Sequence, residues 1–226
     1  MADEEEGFRF TLGDSPPPRE RGEPSPPVQA VERDGQFALV IDGVVQSVAV
    51  RGPDIGRGYW PAMLPPEKPS SALILGLGGG TIANLLTLRF GPLPITGVDD
   101  DPAVLALARE RFGVGELPNL RVVMADAFAF AESCSERFAY VAVDLFAGGQ
   151  VPREVTGTPF LRHVRWLLAG GGLAAFNLAR DRRAATRIHR LGRVFRVERQ
   201  IFTGLNVVVH CRVPARRPRA PGPDGG

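Results

Sequence analysis

Four short apolar runs in this chain each stop at residues able to hold a ligand or act on one. Leu73 to Leu75 meets Gly76-Leu77-Gly78-Gly79-Gly80-Thr81, Pro94 to Val98 meets Asp99, Arg121 to Ala125 meets Asp126 and Ala127, and Ala139 to Val143 meets Asp144. A glycine turn between a strand and a helix bends the backbone sharply and admits a ligand where a Cβ would collide. Asp99, about twenty residues past the turn, is placed to accept hydrogen bonds from both hydroxyls of a ribose. Its alternative is to cap the next helix, but Asp101, directly before Pro102, suits that position better. Asp126 can accept from the exocyclic amine of an adenine while Ala127 leaves room for the ring; it can also cap a short helix. Asp144 closes a central strand at the crevice where open α/β sheets bind ligands, a place for proton chemistry, or else it bonds a loop amide. Together the acids and the glycine turn point to an adenosine-containing cofactor. A dinucleotide fingerprint wants Gly or Ala where Thr81 stands, which argues against NAD.

The elements that position these groups follow from the apolar periodicity. Phe37 to Ile41 and Val44 to Val48 flank Asp42-Gly43 and predict a β-hairpin, followed by a Gly- and Pro-rich loop from Arg51 to Ser70. Strands at 71–75, 94–98, 120–124, 138–143 and 173–177 then alternate with helices at 81–90, 102–112 and 128–134, one opened by Thr158-Pro159 and ended by Gly170-Gly171-Gly172, and one at 181–191. Strands at 194–199 and 206–212 are too close for a parallel crossover and predict an antiparallel pair. The alternation predicts an α/β, Rossmann-like fold with a mostly parallel sheet. Residues 1–27, acidic then Pro-rich, and 214–226 read as disordered tails around a hairpin-and-linker segment (28–70) and a cofactor-binding domain (71–213).

Four segments, Ala72 to Thr81 (ALILGLGGGT), Thr96 to Pro102 (TGVDDDP), Val122 to Ala127 (VVMADA) and Val141 to Gly148 (VAVDLFAG), resemble the spermidine synthase-like (polyamine aminopropyltransferase) family. That family is a branch of the class I S-adenosylmethionine-dependent methyltransferase superfamily. Leu39 to Gln46 (LVIDGVVQ) is similar to its N-terminal segment, and the resemblance covers about residues 35–212. It implies a class I methyltransferase fold with an antiparallel C-terminal strand and an N-terminal hairpin. It also implies that Gly76, Gly78, Gly79 and Gly80 hold the methionine-like part of S-adenosylmethionine or its decarboxylated form. Asp99 would take the ribose, Asp126 and Ala127 the adenine, and Gln46 would reach the cofactor from the N-terminal side. Asp144 would be the catalytic acid, and a homodimer through the hairpin is implied as well. Two departures stand out. Tyr59-Trp60-Pro61 occupies the place of the aminopropyltransferases' Tyr-His-Glu or Tyr-His-Asp, and Leu145-Phe146-Ala147 follows Asp144 where they carry a second acid. A polyamine is a polycation that wants several acids, and Asp54 or Glu154 are the remaining candidates beside Asp144.

Two transfers fit this pattern: an aminopropyl group from decarboxylated S-adenosylmethionine to a small-molecule amine, or a methyl group from S-adenosylmethionine to a small molecule or protein. A non-catalytic cofactor-binding module is the third reading. In either transfer an amine with a free pKa of about 10 must shed a proton, for which Asp144 is placed and Tyr59 can assist. A carboxylate-bearing cofactor needs a cation or a free amide near the glycine turn, with Arg57 and Arg89 as candidate cations. The formal charge of +2 is too small to argue for nucleic acid, and the basic residues, all arginine except Lys68, look scattered. No apolar run has transmembrane length and no signal peptide opens the chain, so a cytoplasmic protein without a membrane partner is expected. Cys134 and Cys211 have neither metal-ligand nor disulfide spacing, and His163, His189 and His210 have no partner legible in sequence.

Overall fold

The computed structural model describes residues 27–33, 36–50, 52, 58–147 and 149–213. Residues 1–26 and 214–226, read as tails, lie outside these, as do Asp54 and Arg57. Strands β1 (Val28–Arg33), β2 (Gln36–Ile41) and β3 (Val44–Val48) form a small antiparallel sheet in that order. Asp42 and Gly43 adopt φ of 55° and 73°, the left-handed pair that a two-residue hairpin requires. β1 is an addition to the expected hairpin. Its apolar residues Val28 and Ala30 are only half-buried, so its sequence carries little strand signal.

The remaining elements are α1 (Trp60–Met63), β4 (Ala72–Leu75), α2 (Thr81–Phe90), β5 (Ile95–Asp99), α3 (Pro102–Arg111), β6 (Leu120–Met124), α4 (Ala127–Ser133) and β7 (Phe138–Val143). After them come α5 (Thr158–Leu167), β8 (Leu168–Ala179), α6 (Ala184–Gly192), β9 (Arg196–Thr203) and β10 (Asn206–Arg212). The main sheet runs β6-β5-β4-β7-β8-β10-β9. β4 to β8 are parallel, and β10 lies antiparallel to both its neighbours, as the short final connection requires.

β4 sits at the centre and explains its own sequence. All four residues are fully buried, Leu73 and Leu75 against α4 and α5, Ala72 and Ile74 against α1 and α2. A strand covered on both faces reads as an unbroken apolar run. The order reverses beside β4, whose flanking neighbours β5 and β7 both lie on its parallel edges, and there the ligand crevice of an open sheet is found.

The three glycines at 170–172 do not stop a helix. α5 ends at Leu167, Leu168 already pairs with Phe138, and Gly170 to Gly172 lie inside β8. Phe138 and Tyr140 are two residues apart on β7, whereas their partners Leu168 and Leu173 are five apart on β8, so the glycines form a bulge. A glycine cluster signals broken periodicity equally at a helix end and at a strand bulge.

Candidate active site at the carboxyl ends of the strands

The glycine turn is shaped first by its protein neighbours. Gly76 has φ of 87°, and a Cβ there would overlap the carbonyl oxygen of Asp144. A Cβ on Gly78 or Gly79 would come within 2.7 Å of Ser47 on β3, and one on Gly80 would overlap Val114. Ser47 Oγ accepts from the Gly79 amide at 2.8 Å, while Thr81 Oγ1 accepts from Val48 N at 3.0 Å and donates to Val48 O at 2.8 Å. The small N-terminal sheet is thus bonded to the turn, and the close approach that requires Gly78 and Gly79 is that of Ser47. Gly76 and Gly78 nonetheless border the cavity described below. Thr81, the residue that breaks the dinucleotide pattern, is the other half of the seam.

Asp99 ends β5 beside the turn. Its Oδ2 accepts from Gly78 N at 2.8 Å and its Oδ1 from Asp101 N at 3.2 Å. Asp101 caps α3 through Ala103 N and Val104 N, leaving Asp99 clear of that role as expected, although Asp99 braces the turn itself. Each Asp99 oxygen keeps a lone pair for a further donor. Burial pushes its pKa up, against the lowering effect of the two amides. Asp126 is the N-cap of α4, its Oδ1 accepting from Ala129 N at 2.8 Å, so the helix-cap alternative is realised. Asp126 still borders the same cavity, with Ala127 buried beside it.

Asp144 follows the last residue of β7 and is the hub of a chain of side chains. Its Oδ2 accepts from the Tyr59 hydroxyl at 2.8 Å and its Oδ1 from Asn177 Nδ2 at 2.8 Å; Asn177 Oδ1 accepts in turn from Asn206 Nδ2 at 3.0 Å. Asn177 is buried on β8 and Asn206 opens β10, across an adjoining pair of strands. Burial raises the Asp144 pKa to about 6, with the Asn177 and Tyr59 hydrogen bonds holding it down. Tyr59 is fixed by α1, which buries Trp60 and Met63. That short helix is tied down by His210 Nε2, which donates to Ala62 O at 2.8 Å, and by the Tyr140 hydroxyl, which donates to Met63 O. His210 is accordingly structural. In the sequence Asn177, at the end of the expected strand 173–177, suits either a substrate hydrogen bond or loop stabilisation, and Asn206 carries no legible role; the one signal is an amide at the end of each of two strands destined to pair.

These groups surround one cavity of about 380 Å³, a size suited to a small ligand. Gln46, Tyr59, Gly76, Gly78, Asp99, Asp126, Ala127 and Asp144 line it, whereas Gly79 and Gly80 do not. Five aspartates border it (Asp99, Asp100, Asp101, Asp126, Asp144), with no basic side chain among the described residues. Arg89 lies elsewhere, exposed at the end of α2 in a separate groove with its guanidinium 5.2 Å from the Phe90 ring. Glu154 is exposed and outside the lining.

No family model matches the chain. A curated relative in Bifidobacterium longum, "Probable polyamine aminopropyl transferase", is 31% identical over 138 residues, covering 59% of this chain and 30% of that protein. The solved structure of a probable spermidine synthase from Corynebacterium glutamicum matches with a TM-score of 0.72 and 22% identity, covering 82% of this chain and 76% of that one. Human methyltransferase-like protein 13, solved in complex with SAH, matches with a TM-score of 0.59 and 22% identity over 67% of this chain and 75% of that one.

The chain is similar in sequence to polyamine aminopropyltransferases over a little more than half its length, and it shares the Rossmann-like methyltransferase fold of these solved structures. Its curated relatives include polyamine aminopropyltransferases and methyltransferases alike, transferases of two kinds on one framework. The chain spans less than half the length of the first two curated relatives it matches. Among its described residues no helix is long and apolar enough to cross a membrane.

Proposed function

We propose that this spermidine synthase-like chain is a transferase that moves an alkyl group from an S-adenosylmethionine-type sulfonium to an amine. The carrying observation is Asp144, a carboxylate held by Tyr59 and Asn177 at the mouth of the central strands with a pKa raised to about 6. The donor set of the cavity fits such a cofactor. Asp99 has acceptor capacity for ribose hydroxyls, Ala127 and Asp126 border the same cavity, Gln46 lines it from the small sheet, and five carboxylates favour a cation. When bound, the cofactor supplies a carbon activated by attachment to a sulfonium.

The residues of the chain then need only seat the acceptor and take its proton. An acceptor ammonium pairs with the ionised Asp144, and proton transfer to that carboxylate frees the nitrogen lone pair. Tyr59 donates to Asp144 Oδ2 and Asn177 to Oδ1, which fixes the carboxylate plane while leaving lone pairs for the substrate. The phenol pKa is pushed far above its ordinary value, first by burial and then by the Asp144 charge, so Tyr59 acts as a donor and not as the base.

Aminopropyl transfer from the decarboxylated cofactor is the first reading, supported by the similarity to polyamine aminopropyltransferases and by the five carboxylates around the cavity, which suit a cationic acceptor. Methyl transfer is the second, favoured by Leu145, Phe146 and Ala147, an apolar wall beside Asp144 where a polyamine would seek acids. Incubating the protein with each cofactor and an amine panel, then weighing the products, decides between them. A mass gain of an aminopropyl group supports the first and of a methyl group the second. No product from the parent protein with either cofactor, or equal turnover by Asp144→Asn, overturns the proposal.

A further inference from the structure

The end of the sheet opposite the active site carries a different kind of surface. A groove of about 700 Å³ is formed where β7 and β9 begin, where β10 ends, and where the glycine bulge of β8 opens. Arg137, Arg162, Arg165, Arg196 and Arg212 border it, together with Trp166, which is 45% exposed. Arg196 and Arg212 share the single carboxylate of Glu198. The other three form no carboxylate ion pair among the described residues. Five guanidiniums against one carboxylate leave an excess of about four positive charges, more than the whole chain's formal +2. Five of the arginines are therefore clustered, and acids elsewhere, among them the five aspartates of the active-site cavity, mask this basic pole in the net charge.

The groove has more than charge. The Arg137 guanidinium lies 4.3 Å from the centroid of the Trp166 ring, a planar cation stacked on an exposed aromatic. Arg137 and Arg212 are also steadied by the carbonyls of Leu168, just before the glycine bulge, and Gly171, within it. Guanidiniums spaced along a groove match a run of phosphates, and an aromatic–arginine stack accepts an unpaired base on its face. An acidic peptide uses the charges but has no use for the stack.

We propose that this groove binds single-stranded nucleic acid, with the arginines on the phosphate backbone and Trp166 against a base. The test is fluorescence anisotropy of a labelled single-stranded dodecamer with the full chain, at about 50 and about 200 mM salt. The parent is expected to bind with an affinity that falls as salt rises. R162E/R165E is expected to lose about tenfold or more and to show a salt slope shallower by about two. R162Q/R165Q gives the same direction without charge reversal, and Trp166→Ala is expected to lose about threefold or more. Thermal melts verify that each variant is folded. Equal binding by the parent and both arginine double variants overturns the proposal, as does polyglutamate that competes as well as the oligonucleotide does. Because no cofactor or turnover enters the measurement, its failure leaves the transferase reading untouched.

Discussion

Tyr59 and Asp144, 85 residues apart in the chain, share a hydrogen bond of 2.8 Å in which the phenol donates to the carboxylate. The pair exists because a four-residue helix is anchored to β7 and β10 by Tyr140 and His210.

The first prediction concerns stability and pH. Asp144 has an ordinary carboxyl value of 3.8 and about 6 in the folded protein, so folding favours its protonated form. Its contribution is present in full below the lower value and is lost as pH rises through the higher one. Asp144→Asn is therefore expected to gain on the parent by about 1–3 kcal/mol between about pH 4 and about pH 7. Urea denaturation across that range measures it, and a constant difference would contradict the raised pKa.

In the transferase reading, activity rises with pH through a limb near 6. Asn177→Leu removes a donor that holds this carboxyl down, so the limb moves upward and kcat/KM at neutral pH drops about tenfold, with smaller loss at high pH. Tyr59→Phe moves it in the same direction. A pH profile of each variant checks this; a uniform loss at every pH would assign Asn177 a packing role only.

In the cofactor reading proposed above, Asp99→Ala is expected to weaken cofactor binding by about a hundredfold or more in calorimetry, since the two charge-assisted bonds proposed to ribose would be lost. It also removes the acceptor for Gly78 N, lowering stability by about 1–2 kcal/mol. Unchanged affinity would sink the ribose assignment.

Thr81→Val is expected to cost about 2–4 kcal/mol, because the buried Val48 amide and carbonyl both lose their partner. Thr81→Ser keeps the hydroxyl and should cost less than about 1 kcal/mol. Denaturant melts of the two variants compare them directly.

Much of the fold was legible because its elements are locally self-consistent. β4 is apolar throughout, Asp42-Gly43 is the residue pair its turn needs, and Asp101-Pro102 is an unambiguous helix start. What misled was a residue type with two uses. Gly170 to Gly172 serve a strand bulge as readily as a helix end, and Asp126 caps a helix while bordering the cavity. Of the site, the acids at strand ends could be read because the topology of an open sheet brings such ends together. The Asn206–Asn177 contact could not, since it depends on the register of an antiparallel pair that periodicity does not determine. The basic groove was hidden for a simpler reason: a net charge sums over poles that the fold separates.

The seam between Val48 and Thr81 makes one backbone amide a clock. Val48 N–H is buried and donates across the seam to a side chain of α2, so it meets deuterated solvent when the small sheet lifts from the glycine turn. Amides in the middle of β4 exchange through the opening of the main sheet instead. Comparing the two rates separates the parting of one cavity wall from the unfolding of the whole domain, without any ligand or chemistry to report it.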